Sequence, residues 1–79
     1  NSATTIQFRL PKNSDVSIQI FNINGKLVRT LLQGNQEAGF HSVVWDGRDN
    51  SGRIISSGVY CYKMVAGSFS EAKKLILVK

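Results

Sequence analysis

Ile6, Phe8 and Leu10 alternate with Thr5, Gln7 and Arg9, and the same two-residue beat returns along nearly the whole chain. A strand sends successive side chains to opposite faces, whereas a helix repeats every ~3.6 residues, so this beat commits the polypeptide to half-buried strands. Val16, Ile18 and Ile20 alternate with Ser17 and Gln19 in a second strand running on to Ile23. Asn24-Gly25 follows, a pair favoured where both hairpin residues take positive φ, and predicts a type I′ turn into a return strand over 26–32, with Val28 inward. Pro11 to Asp15 reads as a loop and Gln33 to Gly39 as a longer connection. Phe40 to Asp46 is the next strand, with His41, Val43 and Trp45 on one face and Phe40, Ser42 and Val44 on the other. Ile54-Ile55 is a short edge strand. Val59 to Ala66 puts Tyr60, Tyr62 and Met64 on one face, and Phe69 to Val78 closes the chain. About seven strands separated by turn signals predict an all-β, antiparallel sandwich, Ig-like (fibronectin III-like) in shape. The Cys…Trp…Cys spacing of antibody domains is absent, so the likeness is one of architecture only.

The 79 residues make one small domain, 1–79. At 42% apolar composition the chain builds a core without metals or crosslinks. Cys61 is the single cysteine, so no internal disulfide forms; set in an apolar run, it reads as a buried, inert thiol. The net charge of +5 is scattered and reaches a cluster only from Lys73 to Lys79. A nucleic-acid module shows a denser basic patch interleaved with aromatics, so no nucleic-acid partner is expected. No apolar run approaches the ~18 residues of a membrane span. The opening NSATTIQF lacks the features of a signal peptide and begins like a segment cut from a longer chain.

The stretch WDGRDNSGR, residues 45–53, concentrates the residues with chemical potential. As a calcium loop starting at Asp46 it fails, because the cation Arg48 stands at the third position, where an oxygen ligand belongs, and Ser57 at the twelfth, where a glutamate belongs. An irregular calcium site on Asp46, Asp49 and Asn50 is the alternative metal reading. Asp46 and Asp49 as a general acid and base need a cleft that desolvates one of them, and a turn on a small sandwich offers none. His41 and Ser42 are strand neighbours facing opposite ways and form no nucleophile–base pair. A turn accounts for more of the stretch. Asp and Asn bond their own downstream amides, Gly47 and Gly52 supply positive φ, Trp45 anchors the loop in the core, and the arginines pair with the aspartates. The chain reads as no enzyme, with no cofactor and no metal.

WDGRDNSGRIISSGVYCYKMVAG, preceded by TTIQFRLPKNSDVSIQIFNINGKLVRTL, resembles a pattern shared by two families of Ig-like domains. One is the Ig-like domain of the flagellar hook-capping protein. The other is the type A C-terminal sorting domain of the type IX secretion system. Nearly all 79 residues take part in the match. The ending KKLILVK and the Gly58-Val59-Tyr60 element resemble the sorting domains more, whereas the opening lacks their proline-rich start. The resemblance implies a targeting module that carries a secreted cargo through type IX machinery to the cell surface. Its partners there are that machinery, a surface sorting peptidase, and an upstream catalytic or adhesive domain of the same chain. On that reading Lys73, Lys74, Val78 and Lys79 are the recognition residues, while Trp45, Asp46, Gly47, Asp49, Gly52, Gly58 and Tyr60 form the structural motif. Edge protection by lysine is the competing account of the terminal lysines. Two other functions stay open: an accessory binding module for carbohydrate or protein, with Phe21, Phe40, Tyr60, Tyr62 and Phe69 as candidate platforms, and a hook-capping Ig scaffold. Leu27 and Leu31, if outward, form a sticky patch.

Overall fold

The computed structural model describes residues 3–78. Asn1, Ser2 and Lys79 lie outside them, and with them the polar opening and one lysine of the expected recognition set. The strands are β1 (Thr4–Leu10), β2 (Ser14–Phe21), β3 (Leu27–Gln36), β4 (Gly39–Trp45), β5 (Gly58–Ala66) and β6 (Phe69–Leu77). β1 and β4 form a two-stranded antiparallel sheet running from Thr4 opposite Trp45 to Leu10 opposite Gly39. The other four make an antiparallel sheet in the order β3-β2-β5-β6. The alternation predicts which side chains lie between the layers. Ile6, Leu10 and Trp45 of the small sheet are buried in one cluster with Val16, Ile18, Ile20, Tyr60, Met64, Leu75 and Leu77 of the large one.

The architecture is the expected all-β, Ig-like one, but with six strands among the described residues instead of about seven. Ile54-Ile55 makes only an isolated bridge, Ile54 to Arg48, and Ile54 stays 64% exposed. Its neighbour folds back on the same loop, where the Ile55 N–H donates to the Gly47 carbonyl at 3.1 Å, so no ladder extends. Strand β3 runs longer than its hydrophobics suggest. Its polar end is held by the partner strand, with Ser14 opposite Gln36 and Val16 opposite Gly34, which leaves only Glu37 and Ala38 to reach β4. That short link is fastened from both sides: Asn13 Oδ1 accepts the Ala38 N–H at 2.8 Å, and His41 Nε2 donates to the Glu37 carbonyl at 2.6 Å.

The β2–β3 hairpin also differs in turn type. Only Gly25 has positive φ, at 80°, and Asn24 does not. Asn22 accepts the Gly25 N–H at 2.9 Å and donates its own N–H to Lys26 at 2.9 Å, the pattern of a three-residue loop closed by a left-handed glycine. The Asn22 carboxamide oxygen selects this turn by accepting the N–H groups of Asn24 and Lys26 at 2.9 and 3.0 Å. Further along, the register slips twice, and Leu31 and Val28 are the extra residues. Both pack against the core, so Leu31 contributes no outward patch, while Leu27 is 42% exposed. Cys61 is half-buried rather than buried, because alternation turns it to the outer face of the large sheet between Phe21 and Lys74.

Candidate functional site

Trp45 ends β4 at zero exposure and fixes the loop that follows. Its indole meets the Tyr60 ring edge-on, at 5.5 Å and 75°, and its Nε1 donates to the Arg48 carbonyl at 3.0 Å. Tyr60 in turn donates its hydroxyl to the Ser56 carbonyl at 2.7 Å. One aromatic thus holds the start of the loop and the other its end, each through a polar tip on an apolar body.

Between them the chain makes two nested turns. Asp46 Oδ1 accepts the Arg48 N–H at 3.2 Å, and Gly47 takes φ 76°. Asp49 Oδ1 accepts the N–H groups of Ser51 and Arg53 at 2.9 and 3.0 Å, with Gly52 at φ 86°. The arginines close the same turns. Arg48 Nη1 donates to the Gly52 carbonyl at 2.8 Å, and Arg53 Nε lies 3.5 Å from Asp49 Oδ2. The Arg53 N–H first, then the Ser51 N–H and the Arg53 guanidinium, outweigh desolvation and hold the Asp49 carboxyl below its ordinary 3.8. A lowered folded value stabilises the fold above the unfolded pKa, and that stabilisation is lost as pH falls through the folded one. Asp49→Asn is therefore expected to cost stability at neutral pH, with the gap to wild type closing below the unfolded value of 3.8, as measured by urea unfolding at several pH values. A gap that stays constant down to acid pH counts against this role.

The loop also covers the open edge of β3. The Asn50 N–H donates to the Val28 carbonyl at 3.0 Å, while its side-chain Oδ1 accepts the Thr30 N–H at 2.9 Å. A neighbouring strand offers one N–H and one C=O to positions i and i+2 of its partner, and Asn50 supplies both from a single residue. Arg29 reinforces the docking, donating from Nη1 to Asp46 Oδ1 and to the Arg48 carbonyl, each at 3.1 Å. Being half-exposed, the Arg29–Asp46 pair is worth about 0.2–1 kcal/mol. WDGRDNSGR is therefore an edge cap as well as a turn. Asn50→Ala is expected to cost about 1 kcal/mol and to speed amide hydrogen exchange at Thr30, while Asn50→Asp keeps the acceptor and most of the protection. Unchanged exchange at Thr30 in the alanine variant excludes the cap.

The carboxylates of Asp46 and Asp49 are thus engaged by turn amides and guanidinium groups, and among the described residues no group of three or more His, Cys, Asp or Glu is placed to hold a metal. Asn50, a candidate cation ligand by sequence, spends its oxygen on β3. Arg29 carries no local signal of its role, since it stands 17 residues before its partner Asp46. Gly58 opens β5, where an added Cβ would lie 4.0 Å from the Tyr60 ring, an ordinary contact.

Of the terminal residues expected to be recognised, Lys73 and Lys74 do not share one surface. Lys73 stands opposite Tyr62, on the core-side face of β6, with Nζ 3.8 Å from Glu71 Oε2. Lys74 stands opposite Cys61 on the other face, and Val78 follows β6 at 70% exposure. An inward charge pair on an edge strand discourages pairing with another sheet.

A model of the FlgD Ig-like domain matches residues 1–69. The chain belongs to the FlgD Ig-like domain family. Basal-body rod modification proteins FlgD of Salmonella typhimurium and Salmonella typhi are each 32% identical to it over 68 residues, covering 85% of this chain and 29% of theirs. The crystal structure of FlgD from P. aeruginosa matches with a TM-score of 0.71 and 27% identity, over 95% of this chain and 58% of that one. The chain thus spans under a third of the length of these curated relatives.

Of the two families that share the sequence pattern, the hook-capping one is upheld, and type IX sorting is not supported. The expected location, secreted or at the cell surface as exported cargo, is corrected by the same finding. The relatives are basal-body rod modification proteins, not surface cargo. The sorting reading leaned on KKLILVK, which lies beyond the residues the FlgD Ig-like model matches.

Proposed function

We propose that this FlgD-type Ig domain is a non-catalytic scaffold module of a protein that modifies the flagellar rod or caps the growing hook, acting through its surface. One observation carries the reading: the match of residues 1–69 to the FlgD Ig-like domain. The non-catalytic half is supported by the use of the two loop carboxylates as turn and docking groups. Carbohydrate binding has weaker support. Of the five candidate aromatics, Tyr60 is buried, Phe21 and Tyr62 are half-buried, and only Phe40 and Phe69 stand out, on different sheets.

The test is a chimera in which this chain replaces the matching segment of Salmonella typhimurium FlgD in a strain lacking its own copy. Swimming in soft agar is the expected result. A chimera that accumulates at wild-type level, resists proteolysis and leaves the cells non-motile overturns the proposal.

A further inference from the structure

Where β1 runs into Pro11 and the β5–β6 hairpin turns at Gly67, a cleft of about 320 Å³ opens at one end of the sandwich. Its floor is the edge of the core, formed by the buried Leu10 and Met64 and the half-buried Ala66. Its walls are basic and aromatic: Arg9, Lys12 and the 52% exposed Phe69. Arg9 also lies 5.5 Å above the ring of Phe40, which is 85% exposed. Among the described residues neither Arg9 nor Lys12 has a carboxylate partner.

Exposed aromatics and an arginine around an apolar hollow are the composition of interface hot spots. The volume lies at the lower end of the roughly 300–1,000 Å³ of ligand pockets, a size for one or two side chains. We infer that this cleft docks a protein segment that inserts an apolar side chain onto Leu10 and Met64 and sets flanking carboxylates against Arg9 and Lys12. A phosphate chain makes no use of the apolar floor, and a neutral sugar makes none of the two cations. A second copy of this chain fits poorly. Of its five acidic residues, Asp15 is bonded to Asn35, Asp46 and Asp49 to arginines and Glu71 to Lys73. The fifth, Glu37, sits between Gln36 and Ala38 with no large apolar neighbour. The inference gives the partner chemistry of the scaffold proposed above and rests on that reading for its setting, though not for its geometry.

The experiment is a titration of the ¹⁵N-labelled chain with short synthetic peptides bearing one Phe, Leu or Met between aspartates. The controls are the same peptides with lysines for aspartates, an all-polar acidic peptide, and inorganic polyphosphate. Saturable shifts at the amides of Lys12, Ala66, Ser68 and Phe69, with the acidic apolar peptides alone, are expected. Lys12→Glu with Phe69→Ser, both at exposed positions, should weaken binding about tenfold or more, whereas Val44→Ser on the small sheet leaves it unchanged. No shift at the cleft, or equal shifts with polyphosphate or the all-polar peptide, overturns the inference. So does concentration-dependent self-association that shifts the same amides. Motility of the chimera separates the two proposals. Peptide binding by a non-motile chimera sinks the scaffold reading alone, and full motility of the K12E/F69S chimera sinks the docking cleft alone.

Discussion

Replacing Trp45 by alanine is expected to remove about 3–5 kcal/mol of folding stability, the cost of deleting a large buried aromatic. A domain of this size holds on the order of 5–10 kcal/mol, so the variant should stand near its unfolding midpoint in mild denaturant. Three contributions are lost together: a side chain at zero exposure, the edge-on contact with Tyr60, and the Nε1 bond to the Arg48 carbonyl. Trp45→Phe keeps most of the volume and loses the donor, and about 1–2 kcal/mol is expected, since the Arg48 carbonyl then keeps only the Arg29 guanidinium as its partner. Trp45 is the only tryptophan, so unfolding is followed by circular dichroism rather than fluorescence. If the alanine variant keeps the wild-type urea midpoint, the indole is not the anchor of the loop. The variant also reports on the edge cap. With Arg48 released, Asn50 loses its support, and exchange at Thr30 should rise further than global destabilisation alone explains.

Trp45 and its loop mark how far the sequence could be read. Period-two alternation gave four of the strands nearly to the residue, set the second two residues late at each end, and placed Val16, Ile18, Ile20, Tyr60 and Met64 on inward faces. It also separated Trp45 from Val44. Pairing supplied by a partner strand was out of its reach. Gln33 to Gln36 has no hydrophobic beat and is a strand because β2 begins at Ser14. Ile54-Ile55 has the composition of a strand and lacks a neighbour to pair with. At Asn24-Gly25 the local pair pointed to one turn, and the Asn22 side chain selected another. The loop's internal bonds were legible, because Asp and Asn reach amides two residues on. Its docking was not, since Arg29 and Thr30 come from a strand far back in the chain. The cleft draws on residues 9–14 and 64–69 and has no trace in either segment alone. Choosing between two families of one sequence pattern was a different problem. Both share the alternating pattern, so strand patterning cannot separate them, and the terminal lysines that tipped the balance are explained as well by edge protection.

Ile18→Ala is expected to cost about 2–5 kcal/mol, and Phe40→Ser less than about 0.5, although both wild-type residues are large and apolar in alternating strands. Ile18 sits at zero exposure in the second strand of the large sheet, with Leu32 and Met64 opposite it on either side. Removing its branched side chain leaves a cavity that two hydrogen-bonded ladders prevent from collapsing. Ile18→Val, which deletes one methylene, should cost about 0.5–1.5 kcal/mol, and the ratio of the two losses measures how rigidly β2 is held. Phe40 meets no core residue. On its strand the inward place goes to His41, stacked on Phe8 at 5.1 Å, while the Phe40 ring is 85% exposed beneath the Arg9 guanidinium. An exposed Phe held only by a cation contributes little to folding, so its weight falls on association. Urea unfolding of the three variants decides the matter. A Phe40→Ser loss approaching that of Ile18→Ala would mean that the small sheet buries its other face, and an aromatic so buried is not available to a docking partner.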